Sequence, residues 1–175
     1  MIKYILAVMA VGNGSADKRG ISKFTATIIA RPMPWLIEAA ASVGLDYSVL
    51  AHEVTNHFRN HVMKRHGTGA LAITNADFDL IRGIVETPDL AIIGTVRKGA
   101  TVNAYAKRHV GWTYLYFDEV LNSTHNRALR SLTLYKMVKA LDMDNLERIV
   151  AMNGISDLSR ARGVIAAGGH PGGEA

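Results

Sequence analysis

Three runs of β-branched and aromatic residues lie close together in residues 99–136 and limit what the chain can fold into. They read TVNAYAKRH, WTYLYFDEV and LRSLTLYK, and glycine or polar turn residues separate them. Runs of this composition between turns are typical of β-strands. Because the connections are short, the sequence predicts three successive antiparallel strands.

Successive side chains of a strand point to opposite faces of the sheet, and this alternation divides the three runs into two sets. One set is apolar and is the predicted core side: Val102, Ala104, Ala106, Leu132 and Leu134. The other set mixes phenols, hydroxyls and cations, and we predict an open face that takes a phosphodiester with stacked bases. Its members are Asn103, Tyr105, Lys107, His109, Tyr114, Tyr116, Ser131, Thr133 and Tyr135.

Helical patterns precede these strands. One covers residues 35–44, a second covers residues 49–66 with Gly67 as the left-handed residue that ends it, and a third follows Thr74, which with Asp77 resembles a capping box. The run LAIIGTV adds a fourth strand. The predicted fold class is therefore α+β, with N-terminal helices packed on a roughly four-stranded antiparallel meander.

The composition divides the chain into three parts. Residues 1–34 are an N-terminal head without an assigned role, residues 35–154 form the predicted domain, and residues 155–175 are a glycine-rich tail that we expect to be disordered. Residues 1–16 have the loose outline of a signal peptide, but a buried strand or helix is preferred because the charged region is minimal. No stretch is long enough to span a membrane. We expect a cytoplasmic protein, with delivery or virion association as alternatives.

The charge balance indicates the class of partner. The chain has 20 lysines and arginines against 15 aspartates and glutamates, a formal net charge of +5, and this excess favours a polyanionic partner. Cysteine is absent, which excludes disulfides, thiolate zinc sites and a cysteine nucleophile.

Four histidines fall in the second predicted helix: His52, His57, His61 and His66. The run HEVTNH resembles a metalloprotease helix, but its two histidines are five residues apart where that motif requires four. A metal site formed by Glu53, His57 and His61 stays open beside the interpretation of both histidines as edge-of-core side chains. His66 differs because it ends the helix, and an imidazole that can act as acid or base near neutral pH suits phosphodiester transfer.

These segments carry a family resemblance. The run HVMKRHG, then ITNADFDLIRGIVETPDLAIIG, the basic strand YAKRH, WTYLYFDEV and LRSLTLYK together resemble the phage-associated nuclease-like domains grouped with barnase, EndoU, colicin ribonucleases and RelE, the BECR fold. The resemblance covers residues 47–137. It implies a ribonuclease-type fold of phage or toxin type, with helices on one side of a four-stranded sheet and a substrate face on the other.

The resemblance also implies site residues and a reaction. Its catalytic positions fall on His66, on Lys107 or its neighbour Arg108, and on Thr133 and Lys136, although alternation turns Lys136 away unless a bulge intervenes. The implied reaction is metal-independent, cofactor-free cleavage of RNA by 2′-hydroxyl attack, which leaves a 2′,3′-cyclic phosphate. His66 would serve as acid or base and Lys107 would stabilise developing charge. The predicted substrate-binding residues are Arg97, Lys98, Tyr105, Arg108, Tyr114, Tyr116, Ser131 and Tyr135, where the first three tyrosines either stack on bases or pack in the sheet.

The predicted partner is RNA, either tRNA or another structured RNA, and further candidates are an immunity protein and a phage structural protein. Two other functions stay open: a catalytically inactive RNA-binding domain, and a virion or interaction module. Cleavage of RNA in the presence of EDTA separates the nuclease from both.

Overall fold

The computed structural model describes residues 25–123, 126–138, 141–152 and 162–165. The predicted signal-peptide-like segment and the end of the predicted tail lie outside these ranges. The strands are β1 (Ala26–Ala30), β2 (His52–Thr55), β3 (Leu90–Arg97), β4 (Ala100–His109), β5 (Trp112–Ser123), β6 (Asn126–Met137) and β7 (Arg162–Ile165). The helices are α1 (Pro34–Ser42), α2 (Asn56–His66), α3 (Asn75–Asp79), α4 (Ile81–Glu86) and α5 (Met143–Met152).

One mixed sheet organises the described chain. Its seven strands lie in the order β1-β2-β6-β5-β4-β3-β7. The neighbours β2 and β6 are parallel, and the other pairs are antiparallel. Strands β3 to β6 form the consecutive meander that the sequence predicts, so the α+β class is confirmed. The expectation of about four strands is wrong, because β1, β2 and β7 extend the sheet at both edges.

The predicted helix over residues 49–66 is wrong in its first half. Residues 52–55 form β2, and the helix begins at Asn56, where the Thr55 hydroxyl accepts a hydrogen bond from the Phe58 amide at 3.0 Å. Leu50 and Val54 are buried as expected. Apolar residues four apart share one face in a helix and also in a strand, so their spacing does not distinguish the two.

The end of α2 also differs from the prediction. Gly67 has a φ of −85°, outside the left-handed region. A glycine is needed there for another reason, since a Cβ atom would clash with the carbonyl oxygen of Met63. That contact is with backbone, which cannot move aside as a flexible side chain can.

We therefore expect Gly67→Ala to lower the free energy of unfolding by about 1–3 kcal/mol, the usual effect of forced overpacking. Urea denaturation measures the change. Gly83→Ala is the matched control, because a Cβ atom at this helical position meets nothing within 4 Å. The control should be neutral or stabilise by up to about 1 kcal/mol. Equal unfolding midpoints for the two variants would contradict the steric explanation.

Helices cover both faces of the sheet. Helices α1 to α4 pack on the face that carries Tyr105, Tyr114 and Tyr116, while α5 packs with Leu146 and Val150 on the opposite, apolar face. The prediction that the tyrosine face is open is therefore wrong. Its phenols pack among apolar helix side chains instead of facing solvent, since Tyr105 and Tyr116 are both 0% exposed.

A bulge in β6 changes which side chains share a face. Ser131 and Thr133 pair with adjacent residues of β5, so Leu132 between them is an extra residue without a partner in the pairing. Every side chain beyond Leu132 consequently points to the face opposite to the one predicted. Lys136 joins the tyrosine face, as a bulge was expected to make it do, while Thr133 moves to the other face.

The predicted division into head, domain and tail also changes. Strand β1 lies in the predicted head and pairs with β2, and β7 lies in the predicted disordered tail and pairs with β3. Both belong to the same sheet as the rest of the described chain. Among the helices in the described ranges, none is long and apolar enough to cross a membrane.

Candidate functional site

A groove of about 540 Å³ lies between helix α2 and the end of the sheet where β6 runs. We call it the His/Arg groove, because three imidazoles and three guanidinium groups line it against a single carboxylate. These residues are His57, His61, His66, Arg65, Arg97, Arg130 and Glu119. Hydroxyl groups line it as well, those of Thr55, Ser131, Thr133 and Tyr135. A cleft lined mainly by one sign of charge attracts ligands of the opposite sign, so this groove suits an anion.

Helix α2 supplies the histidines because of its register. His57, His61 and Arg65 recur every four residues and share one stripe, while Phe58 and Val62 on the neighbouring stripe are buried. The rings of His57 and His61 lie 6.5 Å apart with planes inclined by 25°. Both residues are exposed, so their interpretation as edge-of-core side chains is wrong.

His66 ends α2 and is partly buried against the sheet. Its ring centroid lies 4.6 Å from that of Tyr135. Burial lowers the pKa of His66 below its usual value, and the nearby charges of His61 and Arg65 lower it further. The helix dipole acts in the opposite direction, since it favours a cation at a C-terminus. The neutral imidazole, which can accept a proton, therefore dominates at pH 7.

The sheet supplies the opposite wall of the groove. Arg97 ends β3, and Arg130 lies in β6 with its Nη2 atom 3.5 Å from Oε2 of Glu53. The Nε atom of Arg130 and the Oγ1 atom of Thr133 are buried without a hydrogen-bond partner among the residues that the structure describes. Buried polar atoms in native proteins nearly always have partners. Neither atom is accessible to solvent, so each reaches a ligand in the groove only after a side-chain movement.

The groove gathers five of the predicted site residues: His66, Arg97, Ser131, Thr133 and Tyr135. The hydroxyl of Ser131 already donates to the carbonyl oxygen of Glu53 at 2.8 Å and lies 2.7 Å from the Tyr116 hydroxyl. Its role is therefore to fix β6 against β2 and β5.

The predicted convergence of His66 and Lys107 is wrong. The Nζ atom of Lys107 donates to the carbonyl oxygen of Thr87 and lies 3.1 Å from the hydroxyl of the same residue. Lys107 and Arg108 line a separate small pocket, and Lys98 occupies the exposed turn between β3 and β4. These three cations lie outside the His/Arg groove, so their predicted roles there lack a site.

Lys136 is held in an ion pair on the sheet face that carries Tyr105, Tyr114 and Tyr116. Its Nζ atom lies 3.3 Å from Oδ1 of Asp77 and sits over the rings of Trp112 and Tyr114, at 5.3 and 5.5 Å. The Tyr114 hydroxyl donates to the same Oδ1 atom at 2.6 Å. Both groups thus anchor α3 to the sheet, and neither lines the His/Arg groove, so the predicted catalytic role of Lys136 lacks a site there. The predicted base contact of Tyr114 is wrong, because its side chain is buried.

The Asp77 cluster gives stability a defined pH dependence. Burial alone would raise the pKa of Asp77, but hydrogen bonds from Tyr114, Thr74 and Lys136 outweigh it and lower the pKa. A carboxyl with a lowered folded-state pKa stabilises the fold above its unfolded pKa of about 3.9, and this contribution is lost as pH falls through the folded pKa.

Asp77→Asn should thus destabilise the protein at pH 7, and its difference from wild type in free energy of unfolding should shrink below about pH 4. Urea unfolding at pH 7 and pH 3 tests this, with exposed Asp79→Asn as the control. A difference that is equal at both pH values would contradict it.

Tyr105 and Tyr116 lie in the core, not on a substrate face. Burial raises the pKa of both phenols, and the carboxylate of Asp118 adds to this effect. Both side chains are therefore neutral at pH 7. Their predicted role in stacking on bases is wrong, and the alternative role, packing in the sheet, is the one observed.

A polar network is sealed in the same core. The Tyr47 hydroxyl donates to Oδ1 of Asn103 at 3.0 Å, and Nδ2 of Asn103 donates to Oδ1 of Asp118 at 2.8 Å. The Nδ1 atom of His52 lies 3.1 Å from Oδ2 of Asp118. His52 and Asp118 are both 0% exposed, so this pair is closed to a substrate and acts on stability.

The alternative metal site is not assembled. Glu53 lies on β2, while His57 and His61 lie on α2, so the three side chains do not share the helix face that the sequence placed them on. Within residues 25–123, 126–138 and 141–152, no group of three or more histidine, aspartate or glutamate side chains is placed to hold a metal ion.

Several groove residues were not predicted from the sequence. Arg65, Arg130 and Glu119 carried no signal of their own, although Arg65 continues the four-residue spacing of His57 and His61. Once the helix start at residue 56 is known, that spacing places these three side chains on one exposed stripe.

Comparisons of the chain with protein-family models, with curated proteins and with solved structures find no match. The resemblance to BECR-fold nucleases therefore stays a prediction.

Proposed function

We propose that the His/Arg groove binds the phosphodiester backbone of RNA and cleaves it without a metal ion, as a ribonuclease related to the BECR-fold domains. The observation that carries this proposal is the meeting of three imidazoles and three guanidinium groups in one groove with a single carboxylate. Imidazoles exchange protons near neutral pH, and guanidinium groups bind phosphate oxygens in a bidentate manner.

The reaction assigns a role to each side of the groove. Neutral His66 takes the proton of the ribose 2′-hydroxyl, and the resulting oxygen attacks the adjacent phosphorus. The bond from phosphorus to the 5′-oxygen breaks, and that oxygen takes a proton from the imidazolium form of a second histidine, His57 or His61, which becomes neutral. The products are a 2′,3′-cyclic phosphate and a 5′-hydroxyl end.

Charge develops on the non-bridging oxygens during this step and needs positioned donors. Arg97 takes the role that the sequence assigned to Lys107, and the Oγ1 atom of Thr133 donates a hydrogen bond to the same phosphate. Arg65, on the exposed stripe of α2, binds a neighbouring phosphate of the strand. Such contacts hold the substrate and make its affinity depend on salt.

The experiment is cleavage of total tRNA and of defined RNA strands by the full chain in excess EDTA, with analysis of the product ends. The expected result is cleavage that leaves 2′,3′-cyclic phosphates and weakens as salt rises. Arg65→Ala should weaken binding and reduce the salt dependence, whereas its exposed neighbour Lys64→Ala, which lies outside the groove lining, should change neither. Binding without products would instead indicate an inactive RNA-binding domain. The absence of both would overturn the proposal.

A further inference from the structure

An apolar pocket of about 400 Å³ adjoins the His/Arg groove, and Tyr135 lines both. The end of β6, helix α5 and the segment after α2 form its walls. The other lining residues are Leu71, Leu115, Lys136, Met137, Val138 and Ile149. A cavity of this size is typical of small-ligand sites. The chemistry proposed for the groove does not use it.

Tyr135 connects the two cavities. Its ring lies 4.6 Å from the ring of His66 on the groove side and 6.1 Å from the ring of Phe117, between centroids. Thr133 and Tyr135 are alternate residues of β6 beyond the bulge, so they share one face of the sheet. It is the face opposite to the tyrosine face. A ligand that places a phosphate near Thr133 and His66 therefore has an aromatic surface and an apolar cavity directly beside it.

Resting on the proposed function, we propose that the apolar pocket receives one unpaired base of the RNA strand whose backbone lies in the His/Arg groove. The substrate is then single-stranded RNA, or a loop or bulge, because a base inside a duplex is paired and stacked and cannot enter. The pocket wall is mostly apolar, and the one cation in it, Lys136, is engaged by Asp77. The pocket holds the base by stacking and not by hydrogen bonds to its edge, so the protein has only a weak preference among the four bases.

The test measures binding of fluorescent 2′-O-methyl RNA strands, which lack the attacking hydroxyl and cannot be cleaved. A ten-nucleotide strand is compared with the same strand made abasic at one position after another, and with its duplex. Leu71→Trp and Val138→Trp fill the pocket from its rim, where these side chains are 41% and 65% exposed, so the fold is expected to tolerate both. Val49→Trp, at a position 56% exposed and outside the pocket lining, is the matched control.

The expected result is that loss of the base at one position weakens binding to the wild type roughly tenfold. Either pocket-filling variant should bind the intact strand more weakly by the same factor and should bind the abasic strand as the wild type does. The control variant and the wild type should bind alike. Equal binding of intact and abasic strands by the wild type would overturn the pocket proposal and leave the groove proposal standing. Failure of every strand to bind would overturn both. A change in oligomeric state on filling the pocket, with RNA binding unchanged, would overturn the base proposal in favour of a protein contact.

Discussion

His66→Ala is expected to slow RNA cleavage by about a hundredfold to ten-thousandfold, the usual contribution of a general acid or base. His66 is partly buried at the end of α2 and its pKa is lowered, so it is poised to accept the proton of the 2′-hydroxyl. Affinity for an uncleavable RNA should change little, because the arginines supply most of the backbone attraction. Single-turnover cleavage and anisotropy binding measure the two effects separately.

The pH profile adds an independent readout. The base must be neutral to act, and the pKa of His66 lies below the usual value of about 6.5, so the acid limb of the rate profile should fall below pH 6.5. The limb should disappear in the alanine variant. His109→Ala replaces an exposed histidine outside the groove and should cleave at the wild-type rate. Equal rates for both variants would remove His66 from the mechanism.

The central meander could be predicted because it is local. Strands β3 to β6 follow one another through short connections, and each is rich in strand-forming residues. Strand β2 could not be predicted in the same way. Its four residues pair with β1 on one side and lie parallel to the distant β6 on the other. The sequence pattern of residues 52–55 indicates neither of these partner strands, and it fits a helix equally well.

The assignment of faces failed for a related reason. Tyrosine and asparagine suit a wet face or a core in which their polar atoms find partners. Tyr47 supplies such a partner to Asn103 across 56 residues of sequence, and this contact cannot be inferred from alternation. The bulge at Leu132 then reverses the alternation within β6 itself. A one-residue shift of that kind exchanges every side chain between faces.

Part of the candidate site could be predicted from the sequence. His66 could be singled out because it ends a helix, and Thr133 was named, though on the wrong face. Their meeting with Arg97 depends on the bulge at Leu132, which turns Thr133 towards the face of Arg97. Lys107 has the right charge, but its strand carries it to Thr87 instead. The types of residue in the site were thus predictable from the sequence, whereas the tertiary structure decides which of them come together in the groove.

Asp118→Ala is expected to lower the free energy of unfolding by about 2–6 kcal/mol, because it leaves two buried donors without an acceptor, each at a cost of about 1–3 kcal/mol. His52 and Asn103 would both lose their acceptor in a region without solvent access. Asp118→Asn keeps the volume but replaces one carboxylate oxygen by an amide donor that faces another donor. Its free energy of unfolding should therefore lie between those of the wild type and Asp118→Ala. Glu119→Gln, the next residue on the opposite face, should shift stability by less than about 1 kcal/mol. Urea unfolding at pH 7 measures all three, and RNA cleavage below the unfolding transition should survive in each Asp118 variant, since the network is closed to substrate. A folded Asp118 variant without cleavage activity would show that this network reaches the groove. A loss of less than about 1 kcal/mol for Asp118→Ala would show that the buried network contributes little to stability.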